Sequence, residues 1–126
     1  MTFRPAGPGR RIGPLELVNL VAADLPRSAH FYRDLLGLRL TASTDRWIEL
    51  DAGSIRLTLF AADDELGPNR TSGCSLGFYV DDVESATAAL SRLGADVARE
   101  PFRNEFGSVF SVILDPDGYR IQLLEA

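Results

Sequence analysis

Apolar and polar positions along this chain follow one pattern written twice. Leu17-Val18-Asn19-Leu20-Val21-Ala22-Ala23-Asp24-Leu25 and Ser75-Leu76-Gly77-Phe78-Tyr79-Val80-Asp81-Asp82-Val83 start 58 residues apart, and each is an apolar run ending at an acidic residue. The spacing predicts a strand over 15–22, then a helix capped by Asp24, with Pro26 in its first turn. Leu25, Ala29, Tyr32, Leu35 and Leu36 recur at helical spacing, and Gly37 closes the helix. Strands are predicted over 39–43, 47–50 and 54–60, followed by a polar connection over 61–73. The second copy predicts a strand over 75–80 and a helix capped by Asp82, with Val83, Ala86, Leu90 and Leu93 on one face and Gly94 at its end. Strands over 96–99, 108–114 and 120–124 complete it, the last two joined by the turn Asp115-Pro116-Asp117-Gly118. The result is βαβββ twice, an α+β arrangement of two tandem modules over 14–62 and 74–126, with helices covering one face of each sheet.

Alternation within the strands sorts side chains by face. A two-residue turn at Ala52-Gly53 sets Trp47 opposite Thr58 and Glu49 opposite Arg56, with Ile48 facing Leu57 and Leu50 facing Ile55. The aliphatic face belongs under the helices. The other, carrying Trp47, Glu49, Arg56, Thr58 and Phe60, is too mixed for plain core. Leu17, Asn19 and Val21 share that face, and Ser75, Gly77 and Tyr79 match them in the second copy.

Composition narrows the function classes. At 126 residues, the chain is one domain's length, and no apolar run nears the ~20 residues a membrane span needs. Residues 1–13 read as a flexible basic arm, with three Gly, two Pro and Arg4, Arg10 and Arg11 and no core-forming pattern. The whole chain has 13 basic residues, so 10 remain in 14–126 against 18 acidic ones, a net −8 that disfavours nucleic acid as a partner. An acidic body suits a cationic or neutral small molecule, or simply solubility. All basic residues are arginine, which removes lysine Schiff-base chemistry, and His30 is the only histidine. The single Cys74 admits no intrachain disulfide and fits a reducing cytoplasm, the expected location.

Asp24-Leu25 with Ser28, Phe31 to Leu38, Phe78-Tyr79-Val80-Asp81-Asp82-Val83, and Asp115 to Leu123 together resemble the vicinal oxygen chelate superfamily. That superfamily includes glyoxalase I, extradiol dioxygenases, and the fosfomycin- and bleomycin-resistance proteins. The resemblance implies paired modules forming a curved mixed sheet around a central cleft, completed in a homodimer. In the family's enzymes His or Glu residues on the first and last strands of each module hold a divalent metal. Here the matching positions are Leu17 and Thr58, then Ser75 and Gln122. Transition metals want imidazole or carboxylate, and magnesium wants carboxylate oxygen, so no metal and no other cofactor is expected.

Each candidate has a bland reading beside a sharp one. Trp47 is a half-buried sheet residue or a stacking platform, and Glu49 with Arg56 is a cross-strand ion pair or an anchor for a ligand's charge. Asn19 and Tyr79 point into the cleft as donors or satisfy sheet edges, and His30 reads as a surface or interface residue rather than a catalytic base. Phe102, Phe106 and Phe110 are core or an aromatic wall. The expected function is metal-independent binding or sequestration of a small aromatic or cationic molecule, as in the bleomycin-resistance-like branch. Trp47, Phe106 and Phe110 would stack the ligand, and Asn19, Tyr79, Arg120 and Gln122 would hydrogen-bond it. One alternative is a metal-free enzyme using Glu49 or Tyr79 as acid or base in an isomerisation, cyclisation or elimination. Another is a rearranged oxygen-only metal site using Glu16, Glu49, Glu105 and the acids at 63–65.

Overall fold

A computed structural model describes residues 17–62, 74–103 and 107–125. The arm over 1–13 and most of the connection over 61–73 lie outside them. Strand β1 (Leu17–Ala22) leads into helix α1 (Leu25–Ala29), which continues as a π-helix over His30–Leu35. Strands β2 (Arg39–Ser43), β3 (Trp47–Asp51) and β4 (Arg56–Ala61) complete the first module. The second consists of β5 (Ser75–Tyr79), α2 (Val83–Arg92), β6 (Asp96–Arg103), β7 (Val109–Leu114) and β8 (Arg120–Glu125). Each module is a four-stranded mixed sheet, ordered β1-β4-β3-β2 and β5-β8-β7-β6, whose first strand runs parallel to its last. This is the α+β architecture read from the alternation.

Both helix starts follow the sequence signal. The Asp24 side chain accepts a hydrogen bond from Arg27 N at 3.1 Å, and Asp82 accepts one from Ser85 N at 3.3 Å, satisfying first-turn donors that have no helical partner. The π-helix was not legible in the spacing. Its wider turn lets the consecutive rings of Phe31 and Tyr32 both point inward, 4% and 0% exposed, packed edge-to-face at 5.0 Å.

The core is continuous across both modules. Leu20, Ile48, Leu50, Leu57 and Leu59 from the first sheet join Ile113, Ile121 and Leu123 from the second beneath the helices. Each such side chain contributes about 2 kcal/mol by leaving water, which fixes the strand faces, since a one-residue slip would expose the whole set.

The β3–β4 register corrects the expected one. The loop holds four residues, 52–55, rather than two: Ala52 N donates to Ile55 O, Asp51 Oδ1 accepts from Gly53 N at 2.9 Å, and Gly53 has φ of 102°. Trp47 therefore stands opposite Phe60, Glu49 opposite Thr58, Leu50 opposite Leu57, and Asp51 opposite Arg56. A slip of two residues preserves every face while changing every partner.

The Asp115–Gly118 turn is more than a reversal. Asp117 Oδ1 accepts from Ala23 N at 2.9 Å and Oδ2 from Ser28 Oγ at 3.0 Å, both in the first module. Tyr119 Oη lies 3.2 Å from Val21 N and 3.3 Å from Val21 O. Tyr32 donates to Asp115 Oδ2 at 2.7 Å, while Asp115 Oδ1 accepts from the backbone N–H groups of Asp117 and Tyr119. One turn of module two is thus bolted into the α1 end of module one.

Candidate functional site

The face of each sheet turned away from the helices is built in cross-strand rows. In the first module the rows are Leu17–Arg56–Asp51, Asn19–Thr58–Glu49 and Val21–Phe60–Trp47. Trp47, Glu49 and Phe60 are half-buried, Thr58 is buried, and Asn19 is exposed. The sequence-expected pairing of Glu49 with Arg56 is absent. Arg56 instead lies 3.6 Å from Asp51, which also accepts from Arg39 at 2.8 Å. The Asp51 carboxyl is held below its ordinary range, first by the Gly53 N–H and then by Arg39.

That correction releases Glu49. Its Oε2 accepts a hydrogen bond from Thr41 Oγ1 at 2.8 Å, and among the described residues no cation lies within ion-pair distance of it. Thr41 reaches it from a β-bulge between Leu40 and Ala42 on the neighbouring strand. The bulge is a feature the alternation pattern gave no hint of.

In the second module the matching rows are Ser75–Arg120–Leu114, Gly77–Gln122–Val112 and Tyr79–Leu124–Phe110–Phe102. The Phe102 and Phe110 rings pack at 4.1 Å, and the Arg99 guanidinium lies 3.6 Å from the Phe102 ring centre. Arg99 was not singled out in the sequence. Register shifts on either side of it in β6 bring it over the ring. Ser75, Gly77, Tyr79 and Arg120 are exposed, Tyr79 at 80%, and Gln122 is half-buried. Phe106, Glu16, Glu105 and the acids at 63–65 lie outside the described residues. His30 is exposed and bonded to Asp34 at 2.8 Å, on the helix side and away from this face. Asp34, also exposed, is held down to about 2, first by Arg33 and then by His30.

With the paired sheets in view, the comparison with known proteins is direct. Residues 13–123 match the family described as the Glyoxalase/Bleomycin resistance protein/Dioxygenase superfamily. The chain belongs to this superfamily. It is 30% identical over 119 residues to a lactoylglutathione lyase of Haemophilus influenzae, covering 84% of this chain and 87% of that one. A lactoylglutathione lyase of Salmonella typhimurium is 28% identical over 120 residues, covering 85% and 88%. Among solved structures, a glyoxalase-related enzyme from Fulvimarina pelagi superposes with a TM-score of 0.79 at 18% identity, over 91% of this chain and 89% of the other. Lactoylglutathione lyase from Agrobacterium tumefaciens gives 0.74 at 24%, over 93% and 96%. At such identities the structural likeness establishes the fold alone.

The superfamily's metal chemistry can be tested against the side chains present. Leu17, Thr58, Ser75 and Gln122 offer hydrocarbon, two hydroxyls and an amide. Among the described residues no three His, Cys, Asp or Glu side chains converge. This donor set does not fit a catalytic divalent ion, which needs imidazole or carboxylate ligands. Adding Zn²⁺, Ni²⁺ or Mg²⁺ to chelator-dialysed protein should shift its melting midpoint by less than about 1 °C, since an ion without a native site gives no linkage stabilisation. Differential scanning calorimetry checks this.

Proposed function

We propose that the protein binds a small aromatic cation without a metal, between the Trp47/Glu49 face and the Phe102/Phe110 face, in the manner of a sequestering resistance protein. The observation that carries the reading is Glu49, a half-buried carboxylate two residues from Trp47 whose one side-chain partner among the described residues is a neutral hydroxyl. Removing such a charge from water is costly unless something positive meets it, and a ligand can supply that charge. Trp47 and Phe60 in one module, and Phe102 and Phe110 in the other, give the flat apolar walls such sites use. Asn19, Tyr79 and Gln122 add hydrogen-bonding groups, and Leu17, Val21, Thr58, Ser75 and Arg120 line the same faces. Arg56, tied to Asp51, is the member of the set least free to meet a ligand.

The pocket in this reading is completed by a second copy of the chain in the cytoplasm. Asn19, Ser75, Gly77 and the 80%-exposed Tyr79 are uncovered in one chain, and a second copy would cover them in this reading. Glu49→Gln keeps the shape and removes the charge. It should weaken binding of aromatic amines, followed by Trp47 fluorescence, at least about tenfold, the usual worth of a charge-assisted hydrogen bond. Equal affinity in the variant would sink the proposal.

The similarity to lactoylglutathione lyases favours a second reading, an enzyme of the same fold that works without the metal. Freed from Arg56, Glu49 is available as a general base, and Tyr79 is the alternative acid or base. Turnover lost in Glu49→Gln with binding retained selects the enzyme.

A further inference from the structure

Glu49 meets its surroundings asymmetrically, and the asymmetry bears on which cations fit. Thr41, lifted out of register by the β2 bulge, donates to Glu49 Oε2 at 2.8 Å and lies 3.1 Å from the Glu49 backbone carbonyl. One hydroxyl is therefore shared between the carboxylate and its own backbone carbonyl, and it restrains Oε2. Oε1 has no partner among the described residues. Beside it, the row Asn19–Thr58–Glu49 sets an amide and a hydroxyl next to the carboxylate, with side chains of neighbouring strands about 5 Å apart.

We infer that this site takes an aromatic compound bearing a primary or secondary ammonium and discriminates against amidines and guanidines, with Thr41 as the positioning residue that sets the preference. The inference rests on the cation-binding reading above. A planar amidinium or guanidinium binds a carboxylate best as a fork, with two parallel N–H groups on two oxygens open in one plane. Thr41 already donates to one of those oxygens, so a fork has to share Oε2 with the hydroxyl and is weakened by that competition. An ammonium is a compact charge with up to three donors pointing apart, and one carboxylate oxygen, one hydroxyl and one amide oxygen satisfy it along the row.

The test titrates the full chain with 2-phenylethylamine and with benzamidine, following Trp47 fluorescence and calorimetric heat. Wild type should bind the amine about tenfold more tightly than the amidine, and Thr41→Val should bring the two within about threefold by strengthening the amidine. Thr41→Ser, which keeps the hydroxyl, should keep the wild-type ratio. Melting curves of each variant verify folding, and Thr41→Val retains the β-branched shape the strand uses. An unchanged ratio in Thr41→Val, or a wild type that prefers benzamidine, overturns this inference and leaves the Glu49 site standing. Glu49→Gln binding both probes as tightly as wild type, or neither probe binding wild type, overturns the site itself.

Discussion

Asp115→Ala should lower the melting midpoint by about 10–15 °C, the largest loss expected from any single polar side chain here. Asp115 is 5% exposed and accepts from three donors: Tyr32 Oη, Asp117 N and Tyr119 N. Alanine orphans all three. Tyr32, at 0% exposure, has no access to water in compensation. At about 1–3 kcal/mol for each buried donor left unmade, and with partial relaxation at the turn, the cost is about 3–5 kcal/mol. It falls on the turn whose neighbour Asp117 clamps Ala23 and Ser28, so the docking of the two modules is weakened with it. Tyr32→Phe removes only the Oδ2 partner and should cost about half as much. Thermal unfolding by circular dichroism separates the two, and equal midpoints for Asp115→Ala and wild type would refute the account.

The same carboxyl gives a pH signature. Burial pushes Asp115 above its ordinary range, and its three hydrogen bonds only partly offset this. A carboxyl raised in the folded state stabilises the fold fully at pH below its ordinary value, and that contribution disappears as pH climbs through the raised one. Asp34 and Asp51, both held low, act in the opposite sense: their contributions are present at neutral pH and disappear on acidification, though solvent screens both. Asp115→Asn removes the first effect alone. Its stability relative to wild type should therefore improve as pH rises from about 4 towards neutrality.

How much the sequence revealed depends on which signals survive a change of partner. Strand faces depend on parity, so Trp47, Glu49, Thr58 and Phe60 lie on one face although the hairpin loop is two residues longer than a tight turn. Helix caps are local and were legible at Asp24 and Asp82. Pairings were not, because loop length is set by how Asp51 and Gly53 close the hairpin, and alternation carries no record of it. The bulges that aim Thr41 at Glu49 and Arg99 at Phe102 are likewise invisible, since each is one extra residue tolerated by an edge strand. The wrong partner for Arg56 had a functional consequence. It made Glu49 look neutralised, when its charge has no counterpart among the described residues.

Gly77→Val should separate stability from binding, lowering affinity without lowering stability. Gly77 sits inside β5 with ordinary extended backbone, where glycine costs about 0.5–1 kcal/mol relative to a residue with a side chain, and valine is favoured in strands. A Cβ there meets Leu124 Cδ1 at 3.3 Å and Gln122 Oε1 at 4.0 Å. The closer contact is the end of a flexible side chain, which can give by a few tenths of an ångström. The folded state should therefore be unchanged or stabilised by up to about 0.5 kcal/mol. The new methyls, however, project from the exposed face beside Gln122, in the space a flat ligand would use in the proposed site. Affinity for an aromatic amine should fall at least about tenfold, the cost of excluding a ring from a fitted wall. A variant that melts no lower than wild type and no longer quenches Trp47 on titration would place the ligand against module two. One that binds normally would show that the Gly77–Gln122 row is no part of the site.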